Sequence, residues 1–332
     1  MRQEPPARHT AARGRRWFLL CFTSVLSVVT VGASVLIVQR AQQASGEYYY
    51  PAATDPTTGT VTTGSGGTGS GTGTGTDSAG LAASGAAVQA AAASVDVLNA
   101  AQPPVAAYGV AVLDRVSGQL GVGSQGATPL FSASVVKLFT AVSILHRSET
   151  GGALLTDAQR ADIQRALSLS DDNAMNTLWE QFGGPRTVTD MVALANLQDT
   201  RPPANPGEWG ETLISARDVV AVYQYLLTEM TQADRDAVLG ALASAQDIGA
   251  DGFDQSFGLL RSPRPLGVAA KQGWMIDGPT LYLHSTGVSG TGARYVIALL
   301  SAQPASVGYE TGRAYVSAAV ASVVSALAGR GE

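Results

Sequence analysis

The rhythm of apolar and polar positions changes several times along this chain, and each change predicts a different kind of element. Residues 17–38 (WFLLCFTSVLSVVTVGASVLIV) are apolar or small and carry no charge. A helix of that length would run about 33 Å, enough to cross a hydrocarbon core of about 30 Å. From 41 to 80 the apolar pattern dissolves, and 57–76 is Gly, Thr and Ser apart from Val61. Such a stretch buries too little apolar surface to offset its ordering entropy and reads as a tether. The alanine-rich stretch 82–101 predicts a helix, and 108–113 with 119–122, joined by the 114–118 turn, predicts a hairpin. Apolar residues then recur at three- and four-residue spacing over 135–147, 156–167, 173–183, 185–196, 215–229 and 231–244, which predicts a run of helices. Strand patterns return at 266–271, 279–286 and 294–302, before a closing helix over 309–328.

Early strands, a helical insert, late strands and a last helix imply an α/β (α+β) fold. An antiparallel sheet with flanking helices would be drawn from both ends of the domain, with an all-helical subdomain beside it and a ligand site in the crevice between them. The chain then divides into a basic cytoplasmic segment (1–16), a transmembrane anchor or uncleaved export signal (17–38), a Gly/Thr/Ser-rich linker (39–80) and an outer domain (81–332).

Charge orients this arrangement. Arg2, Arg8, Arg13, Arg15 and Arg16 precede the apolar run and only Arg40 follows it, so the positive-inside bias places the outer domain outside the membrane. The rival reading is secretion, because Arg15-Arg16-Trp17-Phe18-Leu19 looks like a twin-arginine export signal. Cys21 lies within the apolar run, with apolar residues continuing after it, and reads as membrane packing rather than a lipid-attachment site. A single cysteine excludes a disulfide scaffold. Residues 1–40 carry a net charge of +5 and the remainder −10, so the outer domain has no basic stripe to follow a nucleic acid. No Walker or dinucleotide pattern joins a strand to a helix, and the histidines are too few and scattered for zinc, so neither cofactor nor metal is expected.

The 21 Lys+Arg divide into 19 arginines and two lysines, Lys137 and Lys271. Lys137 lies three residues after Ser134, one turn along the same face of a predicted helix. A lysine desolvated among apolar neighbours can lose its proton and serve as a base toward a nearby hydroxyl, which an arginine cannot do. Ser170-Asp171-Asp172 lies between two predicted helices, where Ser170 or Asp172 could equally be a plain helix cap. Lys271-Gln272-Gly273-Trp274 ends a predicted strand, and Gly273 would let another segment approach its backbone closely. Trp209 and Trp274 would form either an aromatic wall or core, and His284 either lines the site or is a satisfied strand histidine.

In that order, Ser134-x-x-Lys137, Ser170-Asp171-Asp172 and Lys271-Gln272-Gly273 resemble the Ser-x-x-Lys, Ser-Asp-Asn and Lys-Thr-Gly motifs of class A β-lactamases and the wider penicillin-recognising serine hydrolases. The resemblance covers about 85 to 330 and includes both lysines of the chain. It implies Ser134 as nucleophile, Lys137 as the group that takes or relays its proton, Ser170 as proton donor to the leaving nitrogen and Lys271 as holder of the substrate carboxylate. The backbone N–H groups of Ser134 and Trp274 would form the oxyanion hole beside Gly273, and Asn176 would support the site loop. Asp172 replaces the family's asparagine, Gln272 replaces its threonine or serine, and no Glu-x-x-Leu-Asn motif is present. Glu208 is at about the right distance from Asn176 to be a deacylating base, but its neighbours do not match. The expected substrate is a β-lactam or a peptidoglycan stem peptide acted on by a monomer through an acyl-serine. The alternatives are a D,D-carboxypeptidase or transpeptidase of the cell wall and a wall-associated module without turnover.

Overall fold

The computed structural model describes residues 74–100, 106–152 and 154–328. The basic segment, the apolar run with Cys21 and nearly all of the linker lie outside these residues. Helix α1 (Thr74–Asn99) begins inside the stretch expected to be linker. Alanine has the highest helix propensity, and the alanine run, anchored in the core by Val88, Ala91, Ala92 and Val95, propagates the helix toward its start.

Five antiparallel strands form the main sheet in the order β2-β1-β7-β6-β5: β1 (Ala107–Asp114), β2 (Gln119–Val122), β5 (Ala269–Asp277), β6 (Thr280–Ser289) and β7 (Tyr295–Pro304). Central β7 joins β1, from the start of the domain, to β6, from its end. Side chains alternate across the sheet. Tyr108, Val110 and Val112 join the core under α1 and the closing helix α8 (Tyr309–Ala328), while Ala111 and Leu113 join the core of the helical layer. With both faces covered, β1 and β7 read as almost continuous apolar runs. Helix α8 is long and apolar enough to cross a membrane, yet Val316, Ala319, Val320 and Val323 are buried in the sheet's core.

The helical layer contains α2 (Val136–Glu149), α3 (Asp157–Ser168), α4 (Asp172–Phe182), α5 (Pro185–Leu194), α6 (Ala216–Thr228) and α7 (Gln232–Ala243). Their ends follow local chemistry. Thr156 and Gln159 make a capping box, Ser215 and Thr231 cap α6 and α7, and left-handed Gly183 closes α4.

Two features differ from expectation. Lys271 lies near the start of β5 rather than at its end, because the hairpin to β6 keeps pairing down to Asp277 and Thr280 through a segment with no clean alternation. A second, two-stranded sheet pairs β3 (Leu130–Phe131) with β4 (Leu213–Ile214), too short to leave a periodic signal. Its position matters, since β3 leads straight into the segment carrying Ser134.

Candidate active site

Ser134 lies in a 3₁₀ turn (Ala133–Val135) that runs directly into α2. The preceding alanine, Ala133, has φ of 44°, left-handed backbone that a side chain disfavours. The surroundings hold it there: the Ser132 N–H donates to the Thr212 carbonyl beside β4, and the Ser132 hydroxyl donates to the Gly210 carbonyl. One turn on, Lys137 Nζ lies 2.9 Å from Ser134 Oγ.

The second strained residue, Ser170 with φ of 54°, joins α3 to α4. The cap of α4 is neither Ser170 nor Asp172 but Asp171, whose carboxylate accepts the N–H groups of Asn173 and Ala174. Capping by the middle residue leaves its two neighbours for the site. Lys137 Nζ donates to the Ser170 carbonyl at 2.6 Å and to Asp172 Oδ1 at 2.5 Å, and lies 3.3 Å from Ser170 Oγ. Lys271 Nζ, arriving from β5, is 2.8 Å from the same Ser170 Oγ. Both lysines of the chain therefore meet at one serine hydroxyl.

Gly273 brings β5 against the turn that carries Ser134. A Cβ there would stand 3.0 Å from the Ser132 carbonyl oxygen and 3.1 Å from Val135, so a side chain would push the strand and turn apart. Trp209, on the segment before β4, places its ring 4.8 Å from Lys137 Nζ and donates from Nε1 to Asn176 Oδ1 at 2.8 Å. Asn176 thus ties α4 to that segment. Trp274 stacks on Phe253 with centroids 4.5 Å apart, and its ring lies 5.7 Å from Lys271 Nζ. Both tryptophans wall the site.

Burial sets the electrostatics. Ser134 is 5% exposed, Lys137 1% and Lys271 0%. Desolvation lowers the Lys137 pKa, although the Asp172 carboxylate pulls it back upward. Lys271 is held well below the ordinary lysine value, first by burial and then by the neighbouring Lys137 charge. A hydroxyl beside one depressed amine, and a second hydroxyl between two, form a relay able to move a proton away from Ser134 Oγ.

Two other residues singled out in the sequence, Glu208 and His284, are not hydrogen-bonded to this cluster. Glu208 is exposed, and among the described residues Asp172 is the only carboxylate hydrogen-bonded to the cluster of Ser134, Lys137, Ser170 and Lys271. His284 is a buried strand residue: Ser301 N–H donates to its Nδ1, which leaves Nε2 to donate to the Phe131 carbonyl. His146 pairs with Tyr225 on the helical layer. Asp251 went unnoticed in the sequence, yet it acts electrostatically on both lysines and accepts Trp274 Nε1 at 2.9 Å. The loop carrying it is fastened to the Ser170 segment by the Ala250 N–H on the Leu169 carbonyl and by Gln255 on the Ser168 carbonyl. An Asp-Gly turn after a helix is its only sequence signal, and such turns are common.

No known family profile matches the chain. A mycobacterial protein named "Putative lipoprotein LppW", from Mycobacterium tuberculosis, is 37% identical over 219 residues, covering 65% of this chain and 68% of the relative. The same figures hold for the protein of that name in Mycobacterium bovis. The chain belongs to the LppW family. Among solved structures, a class A β-lactamase from Bacteroides cellulosilyticus superposes with a TM-score of 0.58 at 16% identity, over 72% of this chain and 96% of the enzyme. A β-lactamase from Sphaerobacter thermophilus gives 0.55 at 17% identity, over 72% and 97%. This LppW-family chain therefore has the class A β-lactamase fold, with its serines and lysines gathered at the crevice between sheet and helical layer.

Proposed function

We propose that the outer domain is a serine hydrolase of the β-lactamase type that opens lactam or amide bonds through an acyl-enzyme on Ser134. The observation that carries this reading is the unbroken chain from Ser134 Oγ through Lys137 Nζ and Ser170 Oγ to Lys271 Nζ, with links of 2.9, 3.3 and 2.8 Å. Ser134 Oγ bonds to the substrate carbonyl carbon while its proton passes to neutral Lys137 Nζ. The tetrahedral oxyanion is held by the backbone N–H groups of Ser134 and Trp274. As the carbon–nitrogen bond breaks, the leaving nitrogen takes the Ser170 hydroxyl proton, and Ser170 regains one from Lys137, which restores the neutral amine. Hydrolysis then needs an activated water. The exposed position of Glu208, with Asp172 the only carboxylate hydrogen-bonded to the cluster among the described residues, favours a long-lived acyl-enzyme over fast turnover.

A second reading, a wall-associated module without turnover, is favoured by the Lys137–Asp172 pair, which works against loss of the proton from the amine that should act as base. The cell-wall peptidase reading shares all of the acylation chemistry and differs in substrate. For location, the uncharged run 17–38 and the word lipoprotein in the relatives' name both support an exported, membrane-attached protein with this domain outside.

Intact-mass measurement of the full-length chain after exposure to a neutral activated ester, and separately to a penicillin, distinguishes these readings. The hydrolase reading predicts one adduct on Ser134 that is lost in Ser134→Ala and persists for minutes to hours. No adduct from either probe would leave the module without turnover. Rapid nitrocefin turnover would instead show a working deacylation base.

A further inference from the structure

Of the two groups that would receive a substrate carboxylate, one is turned away from the Ser134 cluster and the other has its hydrogen bonds taken up inside the protein. Lys271 is fully enclosed and donates to Ser170 Oγ and to the Gln272 carbonyl, both at 2.8 Å. Gln272, one residue along the strand, points to the opposite face of the sheet, where its amide donates to the Phe257 carbonyl. The exposed charges beside the two lysines are carboxylates. The Asp172 side chain is 56% exposed, and Asp251 is exposed and aimed by Trp274 Nε1 and the Phe253 N–H, each at 2.9 Å. Three arginines near these loops are already paired: Arg165 with Asp162 and Asp171, Arg264 with Asp247, and Arg313 with Asp254.

We propose that this site selects amide or ester substrates that carry an ammonium or other cationic group close to the scissile carbonyl, with Asp172 and Asp251 as the specificity-determining residues. The proposal rests on Ser134 being the nucleophile. It also connects recognition to reactivity. In the free protein Lys137 donates to Asp172, and that carboxylate pulls the Lys137 pKa upward against the larger lowering by burial. A substrate cation that hydrogen-bonds Asp172 takes over as its partner, and the enclosed Lys137 then releases a proton to water and becomes the base that Ser134 needs. A substrate carboxylate in the same place would meet two negative charges and leave the Lys137–Asp172 contact intact.

The test uses three p-nitrophenyl esters of matched length, ending in an ammonium, a methyl and a carboxylate, with the full-length chain in detergent. Intact mass locates the adduct, and p-nitrophenol release gives kcat/KM. The expected order is ammonium, then methyl, then carboxylate, with on the order of tenfold between ends for each uncompensated carboxylate. Asp172→Asn and Asp251→Asn should each shrink that ratio several-fold, and either variant alone suffices if the other does not fold. The ratio should also shrink in high salt. Ser134 acylation by the methyl ester, with the two charged esters equal or the carboxylate ester faster, would overturn the charge selection while leaving the nucleophile standing. No Ser134 adduct from any of the three would overturn both.

Discussion

The crevice has two walls, and they differ in how closely they match the family motifs. The helix-borne wall presents Ser134, Lys137 and Ser170 within hydrogen-bond reach of one another, with two of its residues held in left-handed backbone. The sheet-borne wall keeps Lys271 and the close approach at Gly273, but turns Gln272 away and encloses the lysine. On the proposed function, the difference teaches that the apparatus for moving a proton and the apparatus for recognising a charged group are separable on this fold. One wall would carry the chemistry, and the other would fix geometry while recognising a different charge.

Apart from the Lys137 substitution below, the largest effect that would break this division is on the helical wall. Ser170→Ala removes the hydroxyl shared by both lysines and should slow Ser134 acylation by about 10²–10³-fold in a p-nitrophenol release assay, with folding intact. An effect under tenfold would place the proton route elsewhere. On the sheet wall, Gly273→Val forces a side chain against the Ser132 carbonyl, and denaturant unfolding should show a loss of about 2–3 kcal/mol.

His284 tests the same wall through pH. Burial, against the upward pull of its backbone hydrogen bonds, holds its pKa down to about 4 from an ordinary 6.5. Between those values the unfolded chain takes up a proton that the folded chain refuses, so stability falls as pH drops through that window, by up to about 3 kcal/mol. His284→Gln should remove that part of the slope, measured as the difference in unfolding free energy between neutral and acidic buffer. An unchanged slope would mean that the ring is protonated in place. The smallest effect is expected for Lys271→Met, which removes an enclosed amine outside the proposed proton route from Ser134 through Lys137 and Ser170 to the leaving nitrogen. Acylation by a neutral ester should fall by about tenfold or less, and a hundredfold loss would return Lys271 to the centre of the chemistry.

Most helices and strands were legible because their apolar spacing is strong and their ends carry ordinary caps, as Thr156, Ser215 and Gly183 show. The β3–β4 pair and the full length of β5 were not, because two-residue strands and a Lys-Gln-Gly-Trp segment have no alternation to read. At the site, the scarcity of lysine singled out the two residues that converge on Ser170. Which acid caps α4, which way Gln272 faces and where Asp251 lies depend on turns and long-range packing, and local sequence does not encode those contacts.

The central claim, that Lys137 is the base for Ser134, is tested most directly by the acylation rate of Lys137→Arg measured by intact mass with a neutral ester. Arginine keeps the charge and the contact to Asp172 but cannot accept a proton. The account predicts a loss of at least about 10³-fold with no Ser134 adduct on the wild-type timescale. Acylation of Ser134 at near wild-type rate in Lys137→Arg would contradict it.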